Sequence, residues 1–181
     1  TQVIYPKDLG YIAIQLGART GARIAEVGGG SGGLTTVLAS IVGPDGRVFS
    51  YDKNEAFQKI NMSNTERAGV RASVEYKIRE FPDAGFEERD LDAVFIDLPS
   101  PWPAVVRARE ALMGGGAFGS LSPKAEQVQA TVKALRENGF IMIETCEIML
   151  RWMVVKEREG FSPALTMLSH TGYLTFARSL R

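Results

Sequence analysis

Glu26-Val-Gly-Gly-Gly-Ser-Gly-Gly-Leu34 decides how the rest of the chain reads. Upstream, Arg23-Ile24-Ala25 begins a short apolar run of the kind that forms a buried strand. Downstream, Leu34, Val37, Leu38 and Ile41 recur at helical spacing. Five glycines therefore occupy the turn between a strand and a helix. Glycine there admits a positive φ and lets a ligand approach the main chain closely. The first N–H groups of the helix, which lack partners within it, then point at that ligand.

Two cofactor classes use such a turn. Gly28, Gly30 and Gly33 satisfy the dinucleotide fingerprint G-x-G-x-x-G. Glu26, Gly28, Gly30 and Gly32 equally satisfy the acidic-x-G-x-G-x-G pattern of S-adenosylmethionine (SAM) methyltransferases. The glycines alone do not decide between them.

Outward from the loop, the chain alternates between strand and helix. Tyr5-Pro-Lys-Asp8 leads into a first helix with Asp8 as its expected N-cap and Leu9, Ile12, Ala13 and Leu16 on its apolar face. Gly43-Pro-Asp-Gly46 is a turn, followed by a strand over 48–51 that ends at Asp52. Asn54 caps a helix to about Ala68. Further strands are expected over 74–77, 93–96, 117–121, 140–144 and 172–177, and helices over 102–113 and 123–138. Such alternation means an α/β fold with a mostly parallel sheet and helices on both faces. The stretch 146–169 carries no clear period.

The 181 residues make one domain, large enough for a substantial core. The 21 basic and 21 acidic residues cancel, so no global field draws in nucleic acid, and an RNA partner needs a local patch or surfaces outside this chain. A single cysteine, Cys146, excludes an internal disulfide and leads to an expected cytoplasmic location. No uncharged apolar run reaches the roughly 18 residues of a membrane span. Opening on Thr1 rather than Met, the chain is expected to be a fragment.

In an open α/β sheet, ligands bind beyond the carboxyl ends of the strands. Glu26, Asp52, Glu80 and Asp97 all fall there. Asp52, 19 residues after Gly33, can accept from both ribose hydroxyls of NAD or SAM alike; Glu80 can accept from an adenine amino group. Asp97-Leu-Pro-Ser-Pro-Trp102 is the second informative stretch. Its prolines forbid regular structure directly after a buried strand, which sets Asp97 at a rigid corner with Trp102 at the cleft mouth. Nicotinamide chemistry has no use for such a loop. Base chemistry does: a carboxylate for an exocyclic amine and a flat wall for the ring.

Together, Tyr5-Pro-Lys-Asp8, the glycine loop, Asp97-Leu-Pro-Ser-Pro-Trp102, Ser122-Pro-Lys-Ala-Glu-Gln-Val128, Glu147 and His170-Thr-Gly-Tyr-Leu174 resemble the tRNA N1-methyladenosine methyltransferases acting on adenosine 58 of the T-loop. The resemblance covers essentially the whole catalytic domain, 1–181. It implies a Rossmann-like class I fold with seven strands, the last antiparallel, and a small N-terminal β domain that is expected to be missing here. It also implies SAM as cofactor, tRNA as substrate, no metal, and a homo-oligomer (a tetramer in the family) or a paralogous partner subunit. By the same resemblance the cofactor residues are Ile4, Glu26, Gly28, Gly30, Ser31, Gly32, Gly33, Leu34, Asp52, Glu80 and Asp97, with Asp97 catalytic. The target nucleotide falls to Tyr5, Pro99, Trp102, Ser122, Pro123 and Gln127. Gly29 stands where the family usually has Thr, and Leu121 where an aromatic is common.

The rival readings are a catalytically silent RNA-binding or scaffold subunit, a methyltransferase of small molecules or proteins, and, more distantly, an NAD-dependent dehydrogenase. His170 is the only histidine, so no histidine-based metal cluster is possible. Cys146 reads as a buried thiol. Met142, Ile143, Met149, Leu150 and Met153 read as core or subunit contacts. Arg151 and Trp152 read as RNA contacts or as a packed Trp beside a solvated Arg. Residues 156–159 read as a solvated turn.

Overall fold

The computed structural model describes residues 3–156 and 160–180. Among the described residues, apolar positions at helical spacing and short β-branched runs resolve into five α-helices around one main sheet. Along the chain these are α1 (Pro6–Gln15), β1 (Arg23–Val27), α2 (Gly33–Val42), β2 (Arg47–Asp52), α3 (Glu55–Arg67), β3 (Val74–Ile78) and β4 (Leu91–Ile96). Then come α4 (Val105–Ala111), β5 (Leu112–Ser122), α5 (Ala125–Glu137), β6 (Phe140–Cys146), β7 (Met153–Lys156), β8 (Gly160–Pro163) and β9 (Tyr173–Ser179).

The main sheet has seven strands in the order β3-β2-β1-β4-β5-β9-β6, and β7 and β8 form a separate antiparallel hairpin. β1 pairs in parallel with β2 on one side and with β4 on the other. β9 is antiparallel to both β5 and β6. The expected mostly parallel, doubly covered sheet is borne out, antiparallel last strand included. Because the strand order reverses between β1 and β4, the loops after these two strands flank the crevice where such sheets hold ligands.

Alternation along each strand splits the core into two layers. Ile24, Val48, Ala93, Phe95 and Ala117 face α1 and α2, where Ile12, Leu16, Leu34 and Leu38 are buried. Ala25, Phe49, Val94, Ile96 and Phe118 face α4 and α5, where Val105, Ala108 and Leu135 close the other side. The same alternation puts Glu26 and Ser50 on the α2 face, as polar residues among apolar neighbours.

Several elements depart from expectation. Tyr5, not Asp8, caps α1, because Pro6 takes the first helical position. Asp8 is buried, and its carboxylate accepts from Lys7 Nζ at 2.9 Å and Thr171 Oγ1 at 2.7 Å. The helix expected over 102–113 is a one-turn 3-10 segment, Trp102–Ala104, followed by α4, and β5 starts at Leu112 rather than at Ala117. Met142, Met149, Leu150 and Met153 are exposed, which removes the core alternative for them and leaves that of subunit contacts. β6 is an edge strand whose register against β9 shifts between Ile141 and Glu144, and Met142 at that irregularity has φ 52°. Trp152 is exposed rather than packed. Cys146 is only half-buried at the end of β6. The turn expected at 156–159 falls on 157–159, outside the described residues.

Candidate active site

β1 ends at Val27 and hands the chain directly to the glycine loop. The Gly28 N–H donates to Tyr51 O at 2.8 Å, and the Asp97 N–H donates to Val27 O at 2.8 Å, so the ends of β1, β2 and β4 are stitched together. Gly28 has φ 87°, and a Cβ there would overlap the Asp97 carbonyl oxygen. Only glycine lets the loop and the Asp97 corner touch in this way. The Gly30 N–H donates to Asp52 Oδ2 at 3.0 Å, which ties the loop to the end of β2.

Beneath the loop lies a buried polar cluster that sequence reasoning missed. Asn61 of α3 donates to Thr35 Oγ1 at 2.9 Å and Ser50 Oγ at 3.2 Å, and its side chain fills the space that a Cβ at Gly29 or Gly32 would need. Asn64, one turn on, donates to Ser31 O at 2.9 Å. Thr35 donates to Glu26, and Ser50 to the same carboxylate at 3.5 Å. Burial raises the Glu26 pKa to about 7, with the nearby Asp97 charge pushing the same way and the Thr35 and Ser50 hydroxyls opposing it. No local pattern announces this cluster; it exists because α3 packs across the loop.

The crevice is a cavity of about 710 Å³. Its floor is Glu26, Gly28, Gly29, Gly30, Ser31 and Gly33, with Leu34 beside them and Asp52 on one flank. Ile4 and Val3 line the edge toward α1. Arg79, Phe81 and Pro82 form the wall beyond β3. Phe81 is held there by edge-on contact with Tyr51, ring centroids 5.3 Å apart, while Tyr51 donates its hydroxyl proton to Glu88. Asp97, Pro99, Leu121, Pro123 and Gln127 form the opposite wall. A smaller cavity of about 110 Å³ adjoins it, lined by Tyr5, Asp8, Asp97, Leu121, Pro123 and Thr171. Asp97 is common to both, and burial raises its pKa to about 6. Gln127 donates to Pro99 O at 2.7 Å and so ties the start of α5 to the Asp97 loop.

Four expected site residues lie elsewhere. Glu80 is exposed and ion-paired with Lys53 at 3.2 Å; Arg79 and Phe81 on either side of it line the cavity instead. Trp102 opens the 3-10 turn and is half-buried off the wall, where Pro103 takes its place. Gly32 stands behind the loop against Asn61, with φ 88° as the cap of α2. Ser122 is buried between two lining residues, and its hydroxyl has no hydrogen-bond partner.

Residues 1–160 match the family model described as the tRNA methyltransferase complex GCD14 subunit. The chain belongs to this family.

Among tRNA methyltransferase relatives, the chain is 35% identical over 200 residues to the tRNA (adenine(57)-N(1)/adenine(58)-N(1))-methyltransferase of Methanocaldococcus jannaschii, covering 97% of this chain and 71% of that one. It is 36% identical over 154 residues to the tRNA (adenine(58)-N(1))-methyltransferase catalytic subunit of Cryptococcus neoformans. That match covers 83% of this chain and spans only 35% of the fungal protein. Two solved structures match over the whole of this chain. A SAM-dependent O-methyltransferase from Thermotoga maritima has 41% identity, a TM-score of 0.96 and 68% of its own length matched. The tRNA (m1A58) methyltransferase of Aquifex aeolicus has 35% identity, a TM-score of 0.91 and 71% of its length matched. At Gly29 the room a side chain would take is filled from below by Ser50 and Asn61.

Proposed function

We propose that this chain is the catalytic domain of a SAM-dependent tRNA (adenine-58-N1)-methyltransferase. The carrying observation is that Asp97 belongs to both cavities: its backbone abuts Gly28 of the glycine loop, and the residue lines the smaller cavity together with Tyr5 and Pro123. A single carboxylate thus stands between a cofactor cradle and a second pocket.

The lining fits SAM. The glycine floor, free of Cβ atoms, would take the main body of the cofactor, the Asp52 carboxylate the ribose hydroxyls, and Phe81 the adenine face. When bound, SAM supplies an electrophilic methyl group. Adenine N1 carries an in-plane lone pair and would accept that methyl group without first losing a proton, the carbon–sulfur bond breaking and S-adenosylhomocysteine leaving, so that the product base is cationic. The Asp97 carboxylate accepts from the N6 amino group, orients the ring and stabilises the positive charge as it develops. Leu121 and Pro123 offer the base an apolar wall, and Gln127 holds that wall to Pro99.

The hairpin β7–β8 supports a proposal about assembly. Val155 and Phe161 are cross-strand partners, both exposed, and Trp152 stands exposed just before them. Apolar side chains grouped in this way mark contact surfaces, and a second copy of the chain is the proposed occupant.

The test of function is methyl transfer from SAM to an unmodified tRNA transcript, with N1-methyladenosine identified at position 58. Product at that position supports the reading. Transfer only to small molecules, or SAM binding without any transfer, overturns it.

A further inference from the structure

His170 has oxygen acceptors on both ring nitrogens. Nδ1 lies 2.7 Å from Glu147 Oε1, just beyond β6, and Nε2 lies 3.3 Å from Pro123 O. The ring also packs on Tyr173, with centroids 4.9 Å apart. A neutral imidazole carries one N–H and satisfies one of these acceptors; the imidazolium carries two and satisfies both. Pro123 is not an incidental partner, because it lines both cavities beside Asp97.

The neighbours of His170 act on the same wall. Thr171 donates to Asp8 and accepts from Lys7 Nζ at 2.6 Å, and Lys7 also donates to Ile148 O at 2.6 Å. A Cβ at Gly172, φ 150°, would press on Leu121. Three consecutive residues thus knot α1, the end of β6 and the segment 121–123 together, while Gln127, in the first turn of α5, donates to Pro99 O.

We propose that His170, as an imidazolium held between Glu147 and the Pro123 carbonyl, is a positioning residue that clamps the wall of the target-nucleotide pocket. The proposal rests on the functional reading above for what the pocket holds. The charged groups bearing on the ring are Glu147, whose carboxylate raises its pKa, and Lys7, which opposes that; the Pro123 carbonyl adds to the upward shift. The sign follows. The clamp is complete below the ordinary histidine value of 6.5 and is lost as pH rises through the raised value in the fold. A loosened wall weakens capture of the nucleotide, while the glycine floor and Asp52, across the larger cavity from that wall, stay as they are.

Because His170 is the only histidine of the chain, its ring nitrogens can be followed alone by NMR across pH 5–9. The expected result is two protonated nitrogens below a midpoint above that of a free histidine, with the Lys124 amide, next to the Pro123 carbonyl, shifting at the same midpoint. Glu147→Gln should lower that midpoint. An ordinary midpoint, a Lys124 amide that ignores it, or no effect of Glu147→Gln overturns the clamp, whatever the substrate. In the full-length protein, KM for tRNA should rise about three- to tenfold through the midpoint, the scale of losing one charged hydrogen bond near solvent. Above pH 7, clear of the Asp97 value of about 6, kcat stays level in the same titration. His170→Phe, which keeps a ring against Tyr173 but has no donor, should show the high KM at every pH and unchanged SAM affinity. A wild-type-like pH profile in that variant overturns the proposal. Absence of tRNA methylation would defeat the functional reading, and the NMR titration would still decide the clamp.

Discussion

The Asp52 carboxylate accepts the Gly30 N–H through one oxygen at 3.0 Å and the Asn54 N–H through the other at 2.8 Å. One side chain therefore fixes the glycine loop, the end of β2 and the start of α3 while flanking the cavity. Asp52→Ala should weaken SAM binding by about 1.5–3 kcal/mol, the worth of a hydrogen bond to a charged group. Isothermal titration calorimetry checks this, and unchanged affinity would remove Asp52 from the cofactor site. The same experiment should show no binding of NAD.

Gly28 allows no side chain. Its φ of 87° is costly for any L-residue, and a Cβ would strike the main chain at Asp97. Gly28→Ala should destabilise the fold by about 2 kcal/mol or more, since the left-handed region alone costs about 1–2. Urea unfolding measures the loss, and SAM binding should fail even where the variant stays folded. Gly10→Ala, with nothing near its Cβ, is the control and should be tolerated.

Glu26 gives a pH signature. Its carboxyl is raised from 4.5 to about 7 by burial, so the folded chain holds a proton that the unfolded chain has released. Stability therefore falls as pH rises through that window. Glu26→Gln removes the dependence. Between pH 4.5 and 7 the wild type should lose on the order of 2–3 kcal/mol relative to this variant. A parallel pair of stability–pH curves would contradict the assignment.

These residues were legible in different degrees, and for physical reasons. Gly28, Asp52 and Asp97 announce themselves because strand-end geometry and positive φ are local demands that few residue types meet. Asn61 sits unremarked in the middle of α3, and its role appears only when α3 crosses the loop. Lys7, Asp8 and Thr171 form one buried cluster across more than 160 positions of chain, which no local window spans. The start of β5 was hidden because the helical period of α4 runs straight into Leu112 with no breaker between them. Glu80 and Trp102 show the reverse error: residues beside a wall were read as the wall.

The exposed pair Val155 and Phe161 predicts association. Light scattering should show a concentration-dependent oligomer of this chain, and Val155→Glu should shift it toward monomer without altering SAM affinity. A monomer at all concentrations would leave the hairpin to a different partner.

Asp97 carries the central claim. Asp97→Asn keeps the side-chain shape, removes the charge and sets an NH2 group toward the amino group of the base. The variant should fold and bind SAM. Because the carboxyl has a pKa of about 6, wild-type activity should also decline as pH falls through that value. The direct measurement is single-turnover methyl transfer to an unmodified tRNA transcript with saturating SAM, using the full-length protein. The account predicts at least about a 100-fold slower rate in Asp97→Asn, roughly 2.7 kcal/mol of transition-state stabilisation. A near-wild-type rate in that variant would contradict it and reduce Asp97 to a turn residue.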